Sequence, residues 1–191
     1  MSRHSFERLD LADEQVRRSY EQGFFTSFER VKSNRLVHTL WLWDFDSRRL
    51  RTRIPYEDQW VFGMRNAAGE VEAALAFNVA MTAFQSRAFD FAPPAETAGC
   101  FEVLTFFNPA DRELEFKYRL WHESVRVLGQ HGFHTGFATT APRPLGLYRR
   151  IGWQLVQQAE IAGEQRFFLR YSITEDASKV RVRAGQRDTA A

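Results

Sequence analysis

The chain has one cysteine, Cys100, among 191 residues, so an internal disulfide is excluded. A single thiol and five scattered histidines also speak against a zinc or other metal site, and a reducing compartment is the natural setting. Strong charge of either sign is missing: 26 Lys and Arg against 24 Asp and Glu leave a formal net charge of +2. With no basic stripe, a nucleic-acid partner is not expected. No apolar run approaches the ~20 residues that span a bilayer, and the polar segment 1–10 lacks the apolar core of a secretory signal. The chain therefore reads as cytoplasmic, without a membrane partner. Internal repeats and low-complexity segments are absent as well.

Aromatic residues are abundant instead: 18 Phe, 5 Trp and 5 Tyr in a sequence that is 44% hydrophobic. Such a composition fills a core or lines an apolar pocket, and the length suits one domain, 1–173, followed by a tail, 174–191, without apolar periodicity. Residues 12–32 read as a helix, capped by Asp10 or Asp13, with Val16, Tyr20, Phe24 and Phe28 on one side. Segment 36–54 is ambiguous, a strand followed by a turn at 44–48. Gln59–Arg65 and 70–81 read as a hairpin turning at Asn66-Ala67-Ala68-Gly69, with Val71, Ala73, Leu75 and Phe77 sharing one face and Asn78 on the other. Segment 84–99, with Pro93-Pro94, reads as a loop.

Cys100–Phe107 is apolar at nearly every position except Glu102 and Thr105, the pattern of a central strand covered on both faces. Asn108-Pro109 then starts a long helix whose Leu114, Tyr118, Trp121, Val125 and Leu128 step by four and three, ending at Gly132. A strand at 133–139, a short helix at 144–151 and a hairpin of 153–161 with 165–173 complete the order. The strand–helix–strand unit implies a parallel pair with a right-handed crossover inside a mixed sheet, an α/β (α+β) fold.

Leu147-Tyr148-Arg149-Arg150-Ile151-Gly152-Trp153, placed after that unit and before a terminal hairpin, resembles the signature of the Gcn5-related N-acetyltransferase (GNAT) superfamily. The resemblance covers 70–173 well. It implies a mostly antiparallel, twisted sheet with helices on both faces and a central parallel pair that splays apart. An acyl thioester, on coenzyme A or an acyl carrier protein, would enter the gap beside Thr105, Phe106 and Phe107. A small-molecule amine would attack it. The superfamily's glycine-rich pyrophosphate loop would fall at 112–117, where Arg112 matches but Glu113, Glu115 and Lys117 stand at glycine positions. Glycines let backbone amides approach phosphate, and acidic residues repel it. Three readings follow: a carrier-protein donor, coenzyme A held by Arg112, Lys117 or Arg119, or a GNAT-shaped module that binds without transferring. Glu102 and Arg149-Arg150-Ile151-Gly152-Trp153 are also similar to acyl-homoserine-lactone and N-acyl amino acid synthases. The arginines of that branch are absent here, where Phe77-Asn78 and Thr105 stand instead.

Among single residues, Glu102 in an apolar strand must be paired, for example with Arg87, face a cavity, or carry a raised pKa suited to a base. By resemblance Tyr148 protonates the leaving thiolate. His134 could relay a proton beside the splay, with His122 and His131 decorating the long helix, and Asn78 could orient the acceptor amine or face solvent. Thr139-Thr140 forms no nucleophilic triad, and Cys100 is expected buried and inert. An exposed strand of the last hairpin could pair in a homodimer.

Overall fold

The structure is a computed structural model that describes residues 5–29, 35–108 and 114–173. Arg112, the expected helix start at Pro109 and the tail 174–191 lie outside the described residues. Nine strands are described: β1 (Ser5–Arg8), β2 (Leu42–Asp44), β3 (Arg49–Arg51), β4 (Gln59–Arg65), β5 (Val71–Asn78), β6 (Cys100–Phe107), β7 (Thr135–Thr140), β8 (Gln154–Ile161) and β9 (Glu164–Ser172). Four α-helices accompany them: α1 (Glu14–Phe28), α2 (Arg35–Leu40), α3 (Leu114–Gln130) and α4 (Pro142–Arg150). Seven strands form one sheet in the order β1-β4-β5-β6-β7-β9-β8, with β2 and β3 as a separate hairpin. Every pairing is antiparallel except β6–β7.

Two cores lie on the two faces. On one, Tyr20, Phe24 and Phe25 of α1 and Val37 and Leu40 of α2 pack against Ala74, Ala76, Leu104 and Phe107. On the other, Leu120, Trp121, Val125 and Leu128 of α3 cover Leu75, Phe77, Phe101 and Val103. This double cover explains why β5 and β6 are apolar at almost every position.

Several expectations are corrected. Helix α1 begins after Asp13, whose carboxylate accepts from the Gln15 and Val16 amides, and its C-cap is Glu29, so it is shorter than 12–32. The ambiguous segment holds a six-residue helix before its hairpin. Polar Ser5–Arg8, to which the sequence reading assigned no element, is an edge strand on β4, held by Phe6 stacked on Phe62 at 5.6 Å. Asn78 faces no solvent; it has no exposed surface.

Candidate active site

The parallel pair fixes the site. Strands β6 and β7 are in register from Cys100↔Thr135 to Val103↔Ala138, and no pairing joins them beyond that point, although β6 continues to Phe107 and β7 to Thr140. The parting coincides with a bulge. Phe77 pairs with Val103 and Ala76 with Thr105, so Leu104 is the extra residue on β6; a bulge bends its strand and sharpens the local twist. A cavity of about 600 Å³ opens there, walled by Leu104, Thr105 and Phe106 of β6, Thr139 and Thr140 of β7, and Tyr148 of α4.

Past the closed end the opposite is seen. A Cβ on Gly136 would lie 2.5 Å from the Phe101 ring, so glycine there lets the two strands approach. His134 belongs to this closed end, its Nδ1 3.0 Å from Thr135 Oγ1, with the strand's whole paired length between it and the gap. It does not line the cavity, contrary to its expected place beside the splay.

Glu102 has no exposed surface and pairs with no arginine among the described residues. Its Oε1 accepts from the Ser86 amide (2.7 Å) and the Ser86 hydroxyl (2.6 Å), and its Oε2 from the Gln85 amide (2.9 Å) and the Asn78 side chain (3.3 Å). Burial raises its pKa while these donors pull the other way, and burial is the larger effect. Asn78 completes the arrangement by donating to Ala83 O and accepting from the Met81 amide. The two side chains thus fasten the segment after β5, including the short 3₁₀ helix Gln85–Phe89, onto β6. The consequence reaches the cavity through Gln85, which sequence reasoning missed. Its Nε2 donates to the bulge carbonyl, Leu104 O (3.1 Å), and its Oε1 accepts from Trp41 Nε1 (3.2 Å). Glu102 and Asn78 themselves do not line the cavity.

Tyr148 does, and its position accounts for the signature. Gly152 sits at φ +94°, the left-handed region that favours glycine. The chain therefore reverses, the Trp153 amide reaches Tyr148 O at 3.1 Å, and the Trp153 ring meets Tyr148 edge-on at 5.6 Å. Desolvation pushes the Tyr148 phenol up to about 12, so it stays protonated near neutrality. Lys117, Arg143 and Arg150 line the same cavity, and α4 carries no acidic residue. Arg166 of β9 also lines it; it is buried, bonded to Glu164, with its guanidinium 5.6 Å from the Phe89 ring. No Asp or Glu is among the described lining residues. Of the residues singled out from sequence, the fold brings Thr105, Phe106, Lys117 and Tyr148 together. Phe107 is instead buried in the α1 core, stacked on Phe24 at 5.7 Å. Arg143 and Arg166 carried no signal beyond their charge, and Arg150 entered only as part of the 149–153 resemblance.

The fold of this chain is found among solved structures. The acyl-homoserine-lactone synthase BjaI, described as coenzyme A-dependent and solved with SAM and isopentyl-CoA, superimposes with a TM-score of 0.73 at 13% identity, covering 93% of this chain and 87% of that one. The chain has the GNAT fold. The acyl-homoserine-lactone synthase LasI gives a TM-score of 0.67 at 13% identity over 89% of this chain and 90% of its own. A Klebsiella pneumoniae protein described as an acyl-CoA N-acyltransferase gives 0.55 at 14% over 90% and 98%. No protein-family model and no curated protein sequence matches the chain. Within the GNAT fold, then, the structural likeness extends to the acyl-homoserine-lactone synthases, consistent with the resemblance in the 102 and 149–153 segments.

Proposed function

We propose that this chain is an N-acyltransferase that moves an acyl group from a thioester, on coenzyme A or an acyl carrier protein, to an amine by direct attack. The observation that carries this reading is the cavity at the parted ends of β6 and β7, with Tyr148 on its wall. The amine nitrogen attacks the thioester carbonyl carbon, the C–N bond forms and the C–S bond breaks. The amine proton passes to solvent. Tyr148 donates a hydrogen bond to the departing sulfur and passes its proton as the C–S bond breaks, and the phenolate is reprotonated from the solvent that has taken up the amine proton. With Glu102 held by four donors away from the cavity, the amine must arrive neutral. The basic side chains Lys117, Arg143 and Arg150 give donor phosphates a place at the mouth, in a chain whose 112–117 segment lacks the glycines.

One observation favours a second reading, a module that binds without transferring: among the described residues no carboxylate lines the cavity to take the amine proton. The two are separated by melting the protein with free coenzyme A, with acetyl-, medium- and long-chain acyl-CoA and with acyl carrier protein, and then assaying thiol release with added amines. Stabilisation that grows with chain length, followed by amine-dependent thiol release, supports the enzyme. Stabilisation without release, or no response to any thioester including a loaded carrier protein, removes the enzyme and favours the binding module.

A further inference from the structure

The cavity reaches both faces of the sheet, and its two ends differ in chemistry. Val103, Phe106 and Tyr148 belong to the core under α3, where Lys117 of α3 and Arg143 and Arg150 of α4 also line it. Phe28, Val37, Leu40, Trp41, Phe89 and Leu104 belong to the core under α1 and α2, and they form an apolar wall. The thioester sulfur and the donor phosphates are assigned above to the first end. The second end gains by releasing water to an apolar group of one of the substrates.

Trp41 is the largest side chain of that wall and the most firmly held. Its ring meets Phe24 and Phe28 edge-on, each at 4.8 Å. Phe24 has no exposed surface and itself stacks on buried Phe107, so the indole is backed by close-packed core. The Trp41 Nε1 donates to Gln85 Oε1 at 3.2 Å. Gln85 is fixed in its turn, its amide donating to Glu102 Oε2 and its Nε2 to Leu104 O. Turning the indole aside would strand its N–H and the Gln85 oxygen in apolar surroundings, which costs the desolvation of both. The phenylalanines and aliphatic side chains around it have no hydrogen bond to hold them.

We propose that Trp41 is the specificity-determining residue of this end, a fixed stop that limits the length of the alkyl chain admitted, with Gln85 as the residue that positions it. The chain can come from two sources, the acyl group of the donor or the side chain of the amine. This assignment rests on the acyltransferase reading and narrows its substrates.

The test runs the full chain against two ladders, saturated acyl-CoAs from acetyl to palmitoyl and primary alkylamines from propylamine to dodecylamine, each followed by transfer and by melting. Wild type is expected to gain about fourfold in kcat/KM per added methylene, the worth of burying one, and to fall once the chain meets Trp41. In Trp41→Leu the gain continues past the wild-type limit. In Gln85→Leu the fall beyond that limit becomes shallower. Trp41→Phe, which keeps an aromatic ring beside Phe24 and Phe28, gives a smaller shift and serves if the leucine variant does not fold. A shifted limit in the acyl ladder assigns this end to the donor, and one in the amine ladder assigns it to the acceptor. A purely structural role lowers every chain length by the same factor. That result, or a wild type without a limit, overturns the stop and leaves the acyltransferase reading standing. If no thioester supports transfer, that reading fails instead, and the stop stands only if the melting shifts along the ladders show the displaced limit.

Discussion

A carboxylate with no exposed surface and no cation beside it among the described residues must draw its stabilisation from dipoles, and Glu102 does so through Ser86, Gln85 and Asn78. Glu102→Gln presents an amide N–H₂ to groups that themselves donate, so about 2 kcal/mol of stability is expected to be lost, measurable by denaturant unfolding. Activity falls with it, since Gln85 is released from Leu104 O. Tyr148→Phe acts differently. Its kcat is expected to fall by about 10²-fold with thioester KM unchanged. With the phenol at about 12, the donor form dominates at every working pH. The pH profile of the variant is therefore lower but of the same shape, and an unchanged kcat would remove Tyr148 from the chemistry. Glu102 was legible in the sequence as a buried acid, because a charge in an apolar strand is conspicuous. Its partners were not, because Gln85 and Ser86 lie in a stretch without periodicity.

Among elements, legibility followed burial. Strand β6 and helix α3 announce themselves because sheet and helix faces that bury apolar groups impose periods on the sequence. Strand β1, at the sheet edge with one half-buried Phe6, and the six-residue α2 impose none. The charge of α4 belongs to this scale. Arg143, Arg149 and Arg150 stand on one short helix at the cavity, and that helix carries no acid. Reversing two of them, Arg143→Glu with Arg150→Glu, is expected to raise the donor KM by about tenfold or more. The effect should shrink as salt rises toward 1 M, where screening length falls to ~3 Å. Acceptor KM and melting temperature stay near wild type, because both side chains are exposed. A donor KM indifferent to this reversal would place the phosphates elsewhere.

At the scale of the molecule, the sheet separates two cores that share β5 and β6, and the gap past Val103 and Ala138 is where their covering helices face one cavity. Phe28, Val37 and Trp41 approach it from the α1–α2 side, Lys117 and Tyr148 from the α3–α4 side. A ligand seated there bridges elements that otherwise meet only through the sheet. Protection against hydrogen exchange tracks local opening, which binding suppresses where the ligand makes contact. Acyl-CoA is therefore expected to slow exchange in 85–89, 104–107 and α4 together, while the closed end, 100–103 with 135–138, is already slow and does not change. Helix α4 has no fully buried residue of its own, so its gain should be the largest. Protection confined to one side of the sheet would mean that the ligand lies on a surface and does not enter between the strands. The bulge at Leu104 would then be a feature of the sheet alone, with no part in acyl transfer.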